Sequence, residues 1–165
     1  MRGVGSFLGV CWMLLAGCAS GGFAGGVYDG PDVRYRLVPS SGYTPLGIDE
    51  HDVAFEVSGG GTVGVSSRCE GYEDVPARAL VGHLLFGTTD RVRRLEETTT
   101  VDGRGALHVV IDVALDGVPV TLDIFVLPKD GCLFDFVYVS PRPGDPAERA
   151  AFARFVQSFR LLEVK

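Results

Sequence analysis

Five side chains in the middle of the chain could do chemistry together: His108, Asp112, Thr121, Asp123 and Tyr138. An imidazole, two carboxylates and a phenol among Phe125, Phe134 and Phe136 could bind a polar molecule or move a proton. Two turns set their placement. Asp116-Gly117 is a two-residue hairpin sequence, which puts Asp112 opposite Thr121, Val110 opposite Asp123 and His108 opposite Phe125. A four-residue loop over Pro128 to Gly131 then predicts Phe125 opposite Phe134, Asp123 opposite Phe136 and Thr121 opposite Tyr138. All five residues fall on one sheet face. The reverse face carries Leu107, Val109, Ile111, Val113, Leu122, Ile124, Val126 and Val137, a core pattern interrupted by Asp135.

The polar face has two readings. It is either a small-ligand site, with a cryptic hydrolase as its extreme form, or a partly covered antiparallel face. In the second case its polar groups meet water and its phenylalanines meet a helix. Metal binding would need converging ligands, and one histidine beside diagonal aspartates supplies a weak set. The chain contains no Gly-x-Ser-x-Gly, no His-Glu-x-x-His and no Walker-type loop. Gly59-Gly60-Gly61 leads into a β-branched strand instead of a helix, so it is expected to turn the chain and not to cradle phosphate. His83, beside Leu80 and Leu84, reads as a boundary histidine. His51, in Asp49-Glu50-His51-Asp52, reads as part of a solvated loop that could hold a cation weakly. No catalytic residue, metal ligand or cofactor is expected.

The N-terminus carries a different chemistry. Arg2 precedes an apolar run from Phe7 to Leu15, and Leu15-Ala16-Gly17-Cys18 follows. A spanning helix needs about 20 apolar residues, so this shorter run is a targeting segment. Leu15 to Cys18 resembles the lipobox of bacterial lipoprotein precursors. The resemblance implies a signal peptide over 1–17, a lipid on Cys18 and N-acylation of the new amine. Several acyl chains anchor stably where one does not. Asp after the lipid cysteine often marks inner-membrane retention in such proteins; Ala19 stands here, which favours the outer membrane. The partners implied are the membrane itself and another envelope protein.

With Cys11 in the signal and Cys18 lipidated, Cys69 and Cys132 remain as a pair in an exported, oxidising compartment. A structural disulfide is expected, with two separate buried thiols or a reactive pair as the alternatives. Net charge −6 disfavours nucleic acid, whose phosphates an acidic surface repels. Hydrophobic content of 46% against 22% charged residues places the rest among ordinary globular domains.

The elements that would position these residues begin after a Gly-rich tether over 18–32, which holds Gly21, Gly22, Gly25, Gly26 and Gly30. A single domain is expected over 33–165. Val33 to Val38 alternates as a strand, and Pro39 to Asp49 reads as loop. Asp52 to Val57 and Thr62 to Cys69 form a hairpin about the three glycines. Pro76 opens a helix to Phe86, with Gly87 as its stop. Strands follow over Val92 to Val101, Ala106 to Leu115, Val118 to Leu127 and Cys132 to Ser140. Asp145-Pro146-Ala147-Glu148 caps a last helix with Phe152, Phe155, Val156 and Phe159 on one face. The predicted fold is α+β, an antiparallel sheet of about six to seven strands flanked by two helices.

That order of elements resembles the PsbP-like superfamily, and the stretch Phe152-Ala153-Arg154-Phe155-Val156-Gln157-Ser158-Phe159-Arg160 is similar to its closing helix. The resemblance implies a sandwich that acts as a binding or accessory subunit. Photosystem activity does not carry over.

Overall fold

The computed structural model describes residues 21–48, 50–71 and 75–165. The expected signal peptide over 1–17 and the first residues of the expected tether, 18–20 with Cys18, therefore lie outside the described residues. Within the described residues the chain is α+β and antiparallel throughout. A large sheet runs β4 (Tyr43–Leu46), β5 (Val53–Val57), β6 (Thr62–Arg68), β10 (Cys132–Pro141), β9 (Val118–Lys129), β8 (Arg104–Leu115) and β7 (Thr88–Val101). A small sheet runs β1 (Gly22–Ala24), β2 (Val27–Asp29), β3 (Val33–Arg36) and β11 (Arg160–Val164).

Two helices cover the large sheet. From α1 (Ala77–Leu84) and its C-cap come Leu80, Val81 and Leu85, which pack on Val109, Ile111, Val113, Leu122 and Ile124. This is the face the alternation in the sequence marks as core. On the reverse face, α2 (Pro146–Gln157) and the small sheet close a second core with Phe125, Phe134 and Phe136. Phe152, Phe155, Val156 and Phe159 are all buried there, as their helical spacing requires. Asp145 caps α2 by accepting from the Ala147 amide at 2.8 Å, and Pro146 occupies the first turn.

Three expectations need correction. The Gly-rich stretch is no tether from Gly22 onward, because β1 and β2 form a hairpin that extends the small sheet. Gly25 and Gly26 turn it with φ of 58° and 78°, a conformation glycine adopts without Cβ strain. Tyr28 packs its ring at a tilt against Tyr35, 5.0 Å between centroids, and is buried. Its ring lies so close to the backbone at Gly30 that a Cβ there would sit 2.5 Å from it. The glycines thus serve packing where composition suggests only flexibility.

The second correction concerns strands. Tyr43–Leu46 pairs with β5 where a loop was expected, and Arg160–Val164 returns to β3 after the last helix. Tyr43 is held by Phe55 and Phe155, contacts that no local pattern announces. The third is register. The β8–β9 pairing is as predicted, but β9 and β10 meet at Lys129 and Cys132 around a two-residue Asp130-Gly131 turn. Asp130 and Gly131 have φ of 50° and 80°, the same turn as Asp116-Gly117 at 49° and 80°. Tyr138 therefore pairs with Asp123, and Phe136 with Phe125. A slip of two residues keeps every side chain on its predicted face, since the strand period is two.

Gly30→Ala should destabilise the domain by about 1–3 kcal/mol, the usual cost of overpacking. Gly22→Ala, with open space at its Cβ, should be close to neutral. Urea unfolding of both variants checks this; equal midpoints would mean that the hairpin is not packed.

Candidate functional site

The residues expected to form a ligand face do meet, but inside the core. His108, Asp112, Thr121, Asp123 and Tyr138 expose 8, 7, 5, 3 and 1% of their surface. His108 stacks flat on its cross-strand partner Phe125, with centroids 3.9 Å apart. Its Nε2 lies 2.8 Å from Asp123 Oδ1 and its Nδ1 3.2 Å from Glu97 Oε1. From α2, Arg149 Nε donates to the other Asp123 oxygen at 3.2 Å. A separate pair forms alongside: Thr121 Oγ1 and Arg94 Nε each donate to Asp112 at 2.8 Å. Tyr138 donates to the Gly60 carbonyl at 3.0 Å and so ties the triple-glycine turn to the sheet.

These contacts correct the sequence expectation of an open or half-exposed face. Helix α2 covers it, and a buried charge or hydroxyl must then find protein partners. Burial works to lower the His108 pKa, but hydrogen bonds and charge from Asp123 and Glu97 outweigh it and raise the value. Burial also pushes Asp112 up, while Thr121 and Arg94 hold it below the ordinary carboxylate range. On the opposite face, Asp135 is the anomaly the alternation revealed. Its Oδ1 is buried without a hydrogen-bond partner among the described residues, and burial pushes its pKa up to about 6.

The pair Cys69 and Cys132 forms a disulfide. Arg68 pairs with Leu133, so the next residue on each strand faces the other across the β6–β10 seam. His83 sits in the last turn of α1.

A cavity lies where the two sheets part. It has a volume of about 740 Å³, with Phe23 and Tyr28 from the small sheet facing Leu46 of β4 and Ile48, His51 and Asp52 of the β4–β5 connection. At its wall, Asp52 Oδ2 accepts from Ser67 Oγ at 2.5 Å and Tyr35 Oη at 3.1 Å. Burial raises the Asp52 pKa against the opposing effect of those hydroxyls and of nearby Tyr28. Burial and the Asp52 charge together push Tyr28 up to about 12. His51 Nδ1 lies 2.8 Å from Ser66 Oγ, and its ring covers Gly64, where a Cβ would come within 3.0 Å of Nε2. Sequence reasoning puts His51 in a solvated loop. Its partners sit on β6, and Asp52 binds a tyrosine from the other sheet, so local pattern could not find the cleft. A second groove, between α1 and β7, has Arg78 and Arg93, but both pair with Glu96.

The fold is an antiparallel α+β sandwich of the PsbP-like kind. Cyanobacterial PsbP from Synechocystis is similar over 78% of this chain and 86% of its own, at 14% identity and TM-score 0.58. LpqN of Mycobacterium tuberculosis, described as involved in cell envelope biogenesis, aligns over 78% of this chain and 83% of its own, at 9% identity and TM-score 0.58. Pseudomonas aeruginosa PA94, of unknown function, aligns over 81% and 85% at 12% identity and TM-score 0.51. No family model and no curated protein matches the sequence.

Two pH dependences follow. His108 is raised above its unfolded value of about 6.5. Its contribution to stability is complete below that value and is lost as pH rises through the folded pKa. His108→Gln should flatten this fall in urea titrations; an unchanged slope would remove His108 as its cause. Asp135, also raised, costs stability once ionised, between its unfolded value near 4 and about 6. Asp135→Asn should therefore gain roughly 1–3 kcal/mol at pH 7 and little at pH 3.5. Equal gains at both pH values would show that ionisation is not the reason.

Proposed function

We propose that this chain is an exported, lipid-anchored protein of the bacterial envelope that works by binding, as an accessory subunit, and not by catalysis. The observation that carries this reading is the cleft between the sheets. It is a recess of about 740 Å³, whereas His108, Asp112, Asp123 and Tyr138 are locked into core contacts. A binding surface needs shape and a few polar groups; catalysis needs a base within reach of substrate.

The Cys69–Cys132 bridge supports export, because such bonds form and persist in oxidising compartments. The likeness to LpqN supports an envelope role, and the lipobox-like Leu15 to Cys18 supplies the anchor. Outer-membrane attachment follows from Ala19 on the same resemblance. The small-ligand reading survives in altered form: the cleft, and not the His108 face, is the place for it.

Membrane fractionation tests the anchor. Wild type should sediment with membranes and Cys18→Ala should be released; an unchanged membrane pool in the variant would overturn anchoring. Thiol labelling without reductant, on protein isolated from the envelope, should leave Cys69 and Cys132 unlabelled. Two labelled thiols there would place the chain in a reducing compartment.

A further inference from the structure

The cleft has an unusual balance of charge and hydrogen bonding. Asp52 accepts from the hydroxyls of Tyr35 and Ser67, with Tyr28 close by. Both of these hydroxyl bonds fall on Oδ2, and neither donor carries a positive charge. No lysine or arginine lines the cleft among the described residues. Asp32 adds a second, smaller acidic influence on Tyr28. Phe23, Leu46 and Ile48 give this carboxyl an apolar wall, beside the polar edges of Tyr28 and His51. Phe23 is fixed edge-on against Phe55, and Leu46 sits on a paired strand, so the recess is built before any ligand arrives.

Such a place selects by chemistry. A divalent metal needs several converging ligands, and the described residues hold no group of three or more His, Cys, Asp or Glu that could supply them. A sugar needs free donors and acceptors in number. A large, weakly hydrated cation needs neither; it needs a negative field and apolar or aromatic walls. We infer that the cleft binds a quaternary ammonium group, with Asp52 as counter-charge and Phe23, Leu46 and Ile48 as its seat. This rests on the binding role proposed above and specifies its ligand class. Because burial raises the free Asp52 carboxyl, a bound cation would also relieve an existing cost. The volume of about 740 Å³ leaves room for more than the head group alone.

Calorimetric titration with choline and with its uncharged isostere 3,3-dimethyl-1-butanol decides the matter, on the full chain held in phosphatidylglycerol vesicles, which carry no ammonium. Choline should bind at least tenfold more tightly than the isostere, and Asp52→Asn should erase the difference. Ile48→Arg, at an exposed position that does not threaten folding, should abolish choline binding by placing a cation at the mouth. Equal binding of choline and isostere, no binding of choline, or full affinity in Ile48→Arg would each overturn the inference. Flotation of the Cys18→Ala chain separates two sources of the group. Retention on phosphatidylcholine vesicles, but not on phosphatidylglycerol, would assign a lipid head group. Choline binding without such retention would assign a soluble cation. Loss of choline binding leaves the envelope-binding role standing, since that role falls on fractionation and thiol labelling instead.

Discussion

The seam between β6 and β10 is the constraint on which the rest of the structure depends. On one side of it, β4, β5 and β6 follow one another in sequence; on the other, β7 to β10 form a continuous meander. Each half is built from local hairpins. Joining them brings Thr62–Arg68 against Leu133–Val139 and closes a long loop, whose entropy must be overcome before any contact rewards it. The disulfide stands at the end of this seam, across 63 residues of sequence. By the chain-entropy estimate it offsets about 4 kcal/mol of that cost.

Once the seam is closed, the central strands of the large sheet are buried on both faces, by α1 on one and by α2 with the small sheet on the other. Every polar side chain buried there then becomes a demand for partners. The bonds of His108 to Asp123 and Glu97, of Arg149 to Asp123, and of Arg94 and Thr121 to Asp112 meet that demand. Asp135 has no such bond at its buried oxygen among the described residues. Groups that look reactive in a list of residues therefore act here as structural polar contacts, and His108 becomes a pH-sensitive one.

The cleft opens where the two sheets diverge. Tyr28 and Tyr35 reach from the small sheet toward Asp52, and Ser67 meets it from the large one. The carboxyl is thereby pinned at the junction of the two sheets. The sandwich supplies the frame for this, and the proposed binding site lies in the cleft beside it.

Much was settled by the sequence alone. Alternation over Ala106–Leu127 marked both faces of the central strands, and Asp116-Gly117 set their register, because a tight turn leaves only one pairing. The spacing of Phe152, Phe155, Val156 and Phe159 assigned the buried side of α2, and the isolation of Cys69 and Cys132 foretold their bridge. The tertiary structure decided whatever depends on remote partners. It turned Gly22–Asp29 from tether into hairpin, because Tyr28 found Tyr35 and room against Gly30. It added β4 and β11, short strands held by β5 and β3. It closed the His108 face with α2 and opened the cleft at Asp52. A residue's period along the chain shows which way it points, but what covers it depends on elements far away in sequence.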